Sequence, residues 1–219
     1  GIAIDPLADM RKPQQLHPLK GNRPVRMDFP TVWSADGSQA ALMVRSVDNK
    51  DRWLVGVDFY AGKLRVRHHL SDPAWINYSF NEYGFLANNQ FWYLSEQSGF
   101  SQLYAGEGKA AKALTSGKSE VSAVQWNSTG TQAYFVCNKK WPGDYEVCRV
   151  NADGSGLKEI SALDGVEDFA LSPDDQTLAV RYSGTYLPPQ LALLNVQNGE
   201  LKKLTDSRTP EFKARQFIQ

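Results

Sequence analysis

Trp33-Ser34-Ala35-Asp36-Gly37 decides how this chain folds. An aromatic residue ends one strand-like run, a Ser-x-Asp-Gly tip reverses the chain, and Ala41-Leu42-Met43-Val44 begins another apolar run. Asp, Asn and Gly tolerate left-handed dihedrals or bond their own backbone, which a hairpin tip requires. The pattern returns at Phe85-Leu86-Ala87-Asn88-Asn89, Trp126-Asn127-Ser128-Thr129-Gly130 and Leu171-Ser172-Pro173-Asp174-Asp175, with first residues 52, 41 and 45 positions apart. A glycine turn followed by a short amphipathic strand echoes later in each unit, at Gly62-Lys63-Leu64-Arg65-Val66, from Gly108 to Thr115, from Gly154 to Ile160 and from Gly199 to Thr205.

Between these signals the apolar residues form strand-length runs rich in β-branched and aromatic residues: Trp53 to Val57, Phe91 to Leu94, Ala133 to Cys137 and Leu178 to Val180. Only Pro6 to Arg11 reads as a helical turn. Each repeat therefore holds four strands, and a period of this length is that of a β-propeller blade. A Greek-key sandwich is the competing all-β arrangement, but it does not require the turn to recur in register. The sequence predicts an all-β propeller of about four four-stranded blades, at 29–70, 80–115, 121–161 and 166–205. Residues 1–28 read as an irregular lead-in or the end of a preceding blade. Residues 206–219 read as a tail ending in Phe217-Ile218, as though a further strand followed. Both ends look severed, so the expectation is four blades of a seven- or eight-bladed ring.

Composition narrows the function. Twenty-four basic and 24 acidic residues among 219 leave no formal net charge, which removes the electrostatic basis of nucleic-acid binding. No stretch reaches the length of apolar sequence that spans a bilayer, and the first residues lack the basic flank and apolar core of a signal peptide.

Motifs that carry chemistry are largely missing. No Gly-x-Ser-x-Gly elbow occurs; Gly117-Lys118-Ser119-Glu120-Val121 fails at its last position. His68 and His69 are adjacent on a strand and so point to opposite faces, and the third histidine, His17, stands far off in sequence. No histidine–cysteine spacing matches a zinc site, so no metal or other cofactor is expected. Gly106 to Ala111 and Gly117-Lys118-Ser119 lack the context of phosphate loops and read as turns. No residue is assigned a catalytic role.

Cys137 and Cys148 are the most informative local pair. They flank Trp141-Pro142-Gly143-Asp144 symmetrically, the pair and the turn both centred between residues 142 and 143. A hairpin of that register sets the two cysteines directly opposite, within reach of a disulfide that adds at most roughly 3 kcal/mol. The alternative is two buried thiols in a reducing compartment; a bridge would favour a periplasmic or secreted parent protein.

The second repeat resembles a known family. Phe91-Trp92-Tyr93-Leu94-Ser95-Glu96-Gln97-Ser98-Gly99-Phe100-Ser101-Gln102-Leu103-Tyr104, followed by Ala113-Leu114-Thr115-Ser116-Gly117 and Glu120-Val121, is similar to the N-terminal propeller of dipeptidyl peptidase IV-like enzymes of the prolyl oligopeptidase family. The resemblance implies a propeller that caps an α/β-hydrolase domain carrying the serine nucleophile and restricts access to peptide substrates. On that reading this chain is the non-catalytic cap, inactive by itself, and residues 206–219 lead toward the hydrolase domain. Its partners would be a peptide, that hydrolase domain and a second copy of the chain. The paired glutamates with which such dipeptidyl peptidases hold a substrate amine have no counterpart; Glu167-Asp168 is the nearest doublet and reads as blade rim. The alternative function is a stand-alone propeller acting as a protein-interaction scaffold.

Overall fold

The computed structural model describes residues 25–77, 79–163 and 165–216, and arranges their apolar runs as four four-stranded antiparallel sheets. The first sheet holds β1 (Val25–Trp33), β2 (Ala40–Ser46), β3 (Asp51–Asp58) and β4 (Lys63–Ser71). The second holds β5 (Tyr83–Phe85), β6 (Phe91–Ser95), β7 (Gln102–Ala105) and β8 (Lys112–Ala113). The third holds β9 (Val121–Trp126), β10 (Gln132–Cys137), β11 (Glu146–Asn151) and β12 (Lys158–Glu159). The fourth holds β13 (Val166–Leu171), β14 (Thr177–Gly184), β15 (Leu187–Asn195) and β16 (Leu201–Lys203). In every sheet the strands neighbour one another in chain order. Such meanders are the build of propeller blades, as the repeating turns predict.

The described residues fall into two compact units. One runs to Gly99 and takes in Leu103–Ala113; the other joins Phe100–Gln102 to the chain from Leu114 onward.

In the first unit the β1–β2 tip is closed by its own polar residues. Ser34 Oγ donates to Asp36 Oδ1 at 2.7 Å and accepts from the Gln39 N–H at 2.9 Å. Asp36 also accepts from the main chain and hydroxyl of Ser38, and these bonds hold its carboxyl at a pKa of about 2. Asn89, at the corresponding tip of the second sheet, donates to Asp36 Oδ2 at 2.6 Å and ties the two tips together. Ala41, Met43 and Leu54 of the first sheet pack on Tyr83, Phe91, Tyr93 and Tyr104 of the second.

In the second unit the packing is mainly aliphatic. Val136 and Val147 meet Val166, Phe169, Leu178, Val180 and Leu194, all buried. Burying each such side chain contributes roughly 1.5–3 kcal/mol before chain entropy is set against it. The tips are latched here as well, since the Ser128 N–H donates to Asp175 Oδ1 at 3.0 Å. Ala123 adopts φ 53°, where register shifts between β9 and β10. In the same strand the Gln125 amide reaches the neighbouring sheet, donating to the Phe169 carbonyl at 2.8 Å and accepting from the Leu171 N–H at 2.9 Å.

Three expectations need revision. β1 begins at Val25, inside the segment read as irregular, and Pro30 sits where the β1–β2 register shifts, a place that tolerates a residue without an N–H. The tail carries a helical turn, α1 (Pro210–Lys213), in which Thr209 Oγ1 accepts from the Phe212 N–H. Thr-Pro-Glu is a helix-start signal that the sequence reading passed over. The third is register: Cys137 stands opposite Glu146, and Cys148 opposite Phe135, so the two cysteines are diagonal neighbours. Pro6 to Arg11, His17 and Phe217-Ile218 lie outside the described residues.

Candidate functional site

Chemistry-bearing side chains gather on the first unit's internal face because β4 carries a bulge. Leu54 pairs with His68 and Val55 with Val66, leaving Arg67 without a cross-strand partner. The extra residue breaks the alternation of faces, so Arg67 and His68 both turn toward the second sheet. Arg67 lies over the rings of Phe85 and Phe91, each at 5.1 Å, donates to Gln39 Oε1 at 2.8 Å, and forms an ion pair with Glu107. It occupies the notch left by Gly56, where an added Cβ would stand 2.6 Å from Arg67 Nε. His68 stacks on Tyr93 at 4.3 Å and shares a hydrogen bond with Ser95 Oγ at 3.1 Å. His69 turns the other way, stacked on Trp53 at 4.9 Å and bonded to Asp51 at 3.0 Å.

The Ser95–His68 pair has the composition of a nucleophile and base but not their environment. Ser95 is 0% exposed, so no substrate reaches it. Burial, reinforced by Arg52 and His69, lowers the His68 pKa to about 3 and keeps its ring neutral. The carboxylate that orients a histidine, Asp51, is on His69 instead. This pair is structural.

Arg52 is the second buried cation on this face. It donates to the carbonyl oxygens of Phe80 and Leu94, each at 2.9 Å, and to Asn81 Oδ1. Desolvation lowers its pKa to about 10 against the favourable field of Glu96, so it remains charged at neutral pH. Strand alternation gives no hint that Arg52 and Arg67 are interior.

The other sequence candidates are placed apart. Among the described residues no group of three or more His, Cys, Asp or Glu could hold a metal ion, and no helix is long and apolar enough to cross a membrane. Gly108–Ala110 form a single 3₁₀ turn. Gly117 and Ser119 present carbonyl oxygens to the Gln102 amide at 3.2 and 2.7 Å, the reverse of a loop that offers N–H groups to phosphate. Glu167 accepts from Ser183 and pairs with Arg181 at 3.1 Å, while Asp168 accepts from the Phe169 N–H at 2.9 Å. Cys137 and Cys148 are joined in a disulfide with Cα atoms 5.9 Å apart, both buried.

One open cleft lies at the rim of the first sheet, where the β1–β2 and β3–β4 turns meet. Its volume is about 330 Å³, and Gln39, Gly56, Asp58, Phe59, Tyr60 and Arg65 line it, with Arg67 behind. Phe59 stacks on exposed Trp33 at 5.4 Å, and Tyr60 is fully exposed.

Four-stranded meanders with structural rather than reactive polar residues define a β-propeller domain whose described residues hold no assembled catalytic centre. Residues 27–189 match the dipeptidyl peptidase IV (DPP IV) N-terminal region, and the chain belongs to that family. Its fold is similar to that of Porphyromonas gingivalis dipeptidyl peptidase 4, at 17% identity and TM-score 0.68, over 80% of this chain and 26% of that one. A putative dipeptidyl aminopeptidase IV from Bacteroides ovatus matches at 19% identity and TM-score 0.69, over 85% of this chain and 30% of that one. TolB from Acinetobacter baumannii shares the fold at 14% identity and TM-score 0.56, over 85% and 44%. The chain thus spans less than half the length of each of these proteins. It is a peptidase-associated propeller domain.

Proposed function

We propose that this chain is the non-catalytic propeller of a serine peptidase of the prolyl oligopeptidase type, admitting and positioning peptides for a separate α/β-hydrolase domain. The match of residues 27–189 to the DPP IV N-terminal region carries the reading. The burial of Ser95, the one described serine bonded to an imidazole, supports the non-catalytic part of it. In this arrangement the segment after β16, residues 206–219, leads toward the hydrolase domain, and the Cys137–Cys148 bridge suits an oxidising compartment. Pairing of two copies is a further part of the proposal, read by light scattering.

The purified chain is expected to leave Gly-Pro and Ala-Pro p-nitroanilides uncleaved, and cleavage would overturn the non-catalytic assignment. Reading the coding sequence on both sides of residues 1–219 separates this function from its rival. A Gly-x-Ser-x-Gly hydrolase in the same frame supports the peptidase, whereas its absence leaves a propeller scaffold.

A further inference from the structure

The rim cleft of the first sheet has polar ends of opposite sign. Asp58 and Arg65 are diagonal neighbours across β3 and β4, since Gly56 pairs with Arg65 and Asp58 with Lys63. Diagonal positions of this kind are about 7–8 Å apart at their backbones. Two opposite charges so placed commonly close on each other, yet these two are committed elsewhere. Asp58 uses Oδ1 to accept from the N–H groups of Tyr60 and Ala61, at 3.0 and 2.8 Å, which leaves Oδ2 without a partner among the described residues. Arg65 is 64% exposed and uses one nitrogen, NH2, on Glu107 at 2.9 Å. Its other N–H groups remain available. Between them the floor is the Arg67 guanidinium seated over Gly56, and the wall is Phe59 and Tyr60.

We propose that this cleft binds a zwitterion, a free amino acid or short peptide whose carboxylate meets Arg65, whose ammonium meets Asp58 Oδ2, and whose apolar side chain lies on Tyr60 and Phe59. Charge decides the ligand class. A simple anion would face the Asp58 and Glu107 carboxylates, and a simple cation would face Arg65 and Arg67. A molecule carrying both charges satisfies both ends. The volume lies at the small end of ligand sites, which suits one or two residues rather than a folded partner. Arg67 contributes by holding Glu107 and Gln39 in place from its buried position. The site belongs to the propeller alone and does not depend on the peptidase reading.

The probes are the dipeptide Ala-Phe, its N-acetyl form, its C-terminal amide and free phenylalanine, titrated into the intact chain with tyrosine and tryptophan fluorescence and calorimetry. Ala-Phe is expected to bind with a Kd on the order of 1 mM, about fivefold or more tighter than either blocked form. Arg65→Gln should abolish the advantage of Ala-Phe over its amide and leave its advantage over the acetylated form. Asp58→Asn keeps the Oδ1 acceptor of the turn and should do the converse. Tyr60→Ala should weaken all the peptides by about threefold or more. Free phenylalanine binding as tightly as Ala-Phe identifies amino acids as the ligand, and weaker binding identifies short peptides. Equal affinity for free and blocked dipeptides, no binding at all, or variants that keep both preferences would overturn the proposal.

Discussion

The guanidinium of Arg52 donates to the main-chain carbonyl of Leu94 at 2.9 Å, joining β3 of the first sheet to β6 of the second across 42 residues of chain. Two further acceptors, the Phe80 carbonyl and Asn81 Oδ1, bond the same guanidinium. A buried cation held by neutral acceptors costs much to desolvate, and removing it strands the acceptors that face it. Arg52→Ala is expected to destabilise the chain by about 3 kcal/mol, read from the urea midpoint. Arg52→Lys should recover only part of this, because an ammonium cannot span the planar fork. Wild-type stability in both variants would show that the contacts contribute nothing.

His68 makes the first unit sensitive to acid. In the fold it takes up a proton only near pH 3, whereas a free histidine does so near 6.5. The unfolded chain therefore binds more protons between these values. The contribution of His68 is fully present above about pH 6.5 and is lost as pH falls toward 3, on the order of 5 kcal/mol in all. His68→Gln is expected to be less stable at pH 7.5, having lost its stacking on Tyr93, but to lose less between pH 6.5 and 4 than wild type. Parallel urea melts across that range check this; identical slopes would refute the titration.

Gln125 replaces a stretch of strand pairing between β9 and β13. Its amide satisfies the Phe169 carbonyl and the Leu171 N–H together. Gln125→Ala leaves both without that partner and should cost about 2 kcal/mol. Hydrogen exchange at the Leu171 amide should quicken in the same variant, while amides of the first unit stay as protected as before.

Cys137 and Cys148 close a short loop, and the paired Cys137→Ala, Cys148→Ala variant should lose about 3 kcal/mol. Because both are buried, iodoacetamide should label neither until reductant and denaturant are added together. Labelling of both in the native, unreduced chain would show that the bridge is absent.

Most of the blade plan was readable in the tips. Ser34-Ala35-Asp36 and Ser172-Pro173-Asp174 build the same serine-to-aspartate bond, at 2.7 and 2.5 Å, from residues close in sequence. The disulfide partners were readable from symmetry about Pro142-Gly143, although their register was two residues off, because the hairpin loop between Cys137 and Glu146 is not symmetric about that turn. The bulge at Arg67 left no local mark. It changes which face receives Arg67 and His68 together, and so places these two side chains in the polar lining of the first unit. The cleft was not legible for a related reason: Gly56 and Arg65 share one hairpin, but only its register, with the bulge beyond it, sets Arg65 beside Gly56 and Arg67 over it.

Local chemistry was enough to specify strands, reversals and the fourfold recurrence of a meander, because period-two patterning and turn-forming residues act over a handful of positions. Which charged side chains are buried and which serine meets a histidine depend on pairings across tens of residues, and where Asp58 and Arg65 flank a cleft depends on strand register. Those pairings follow from how the sheets pack, where burial and register together select the partners of Arg52, His68 and Arg65.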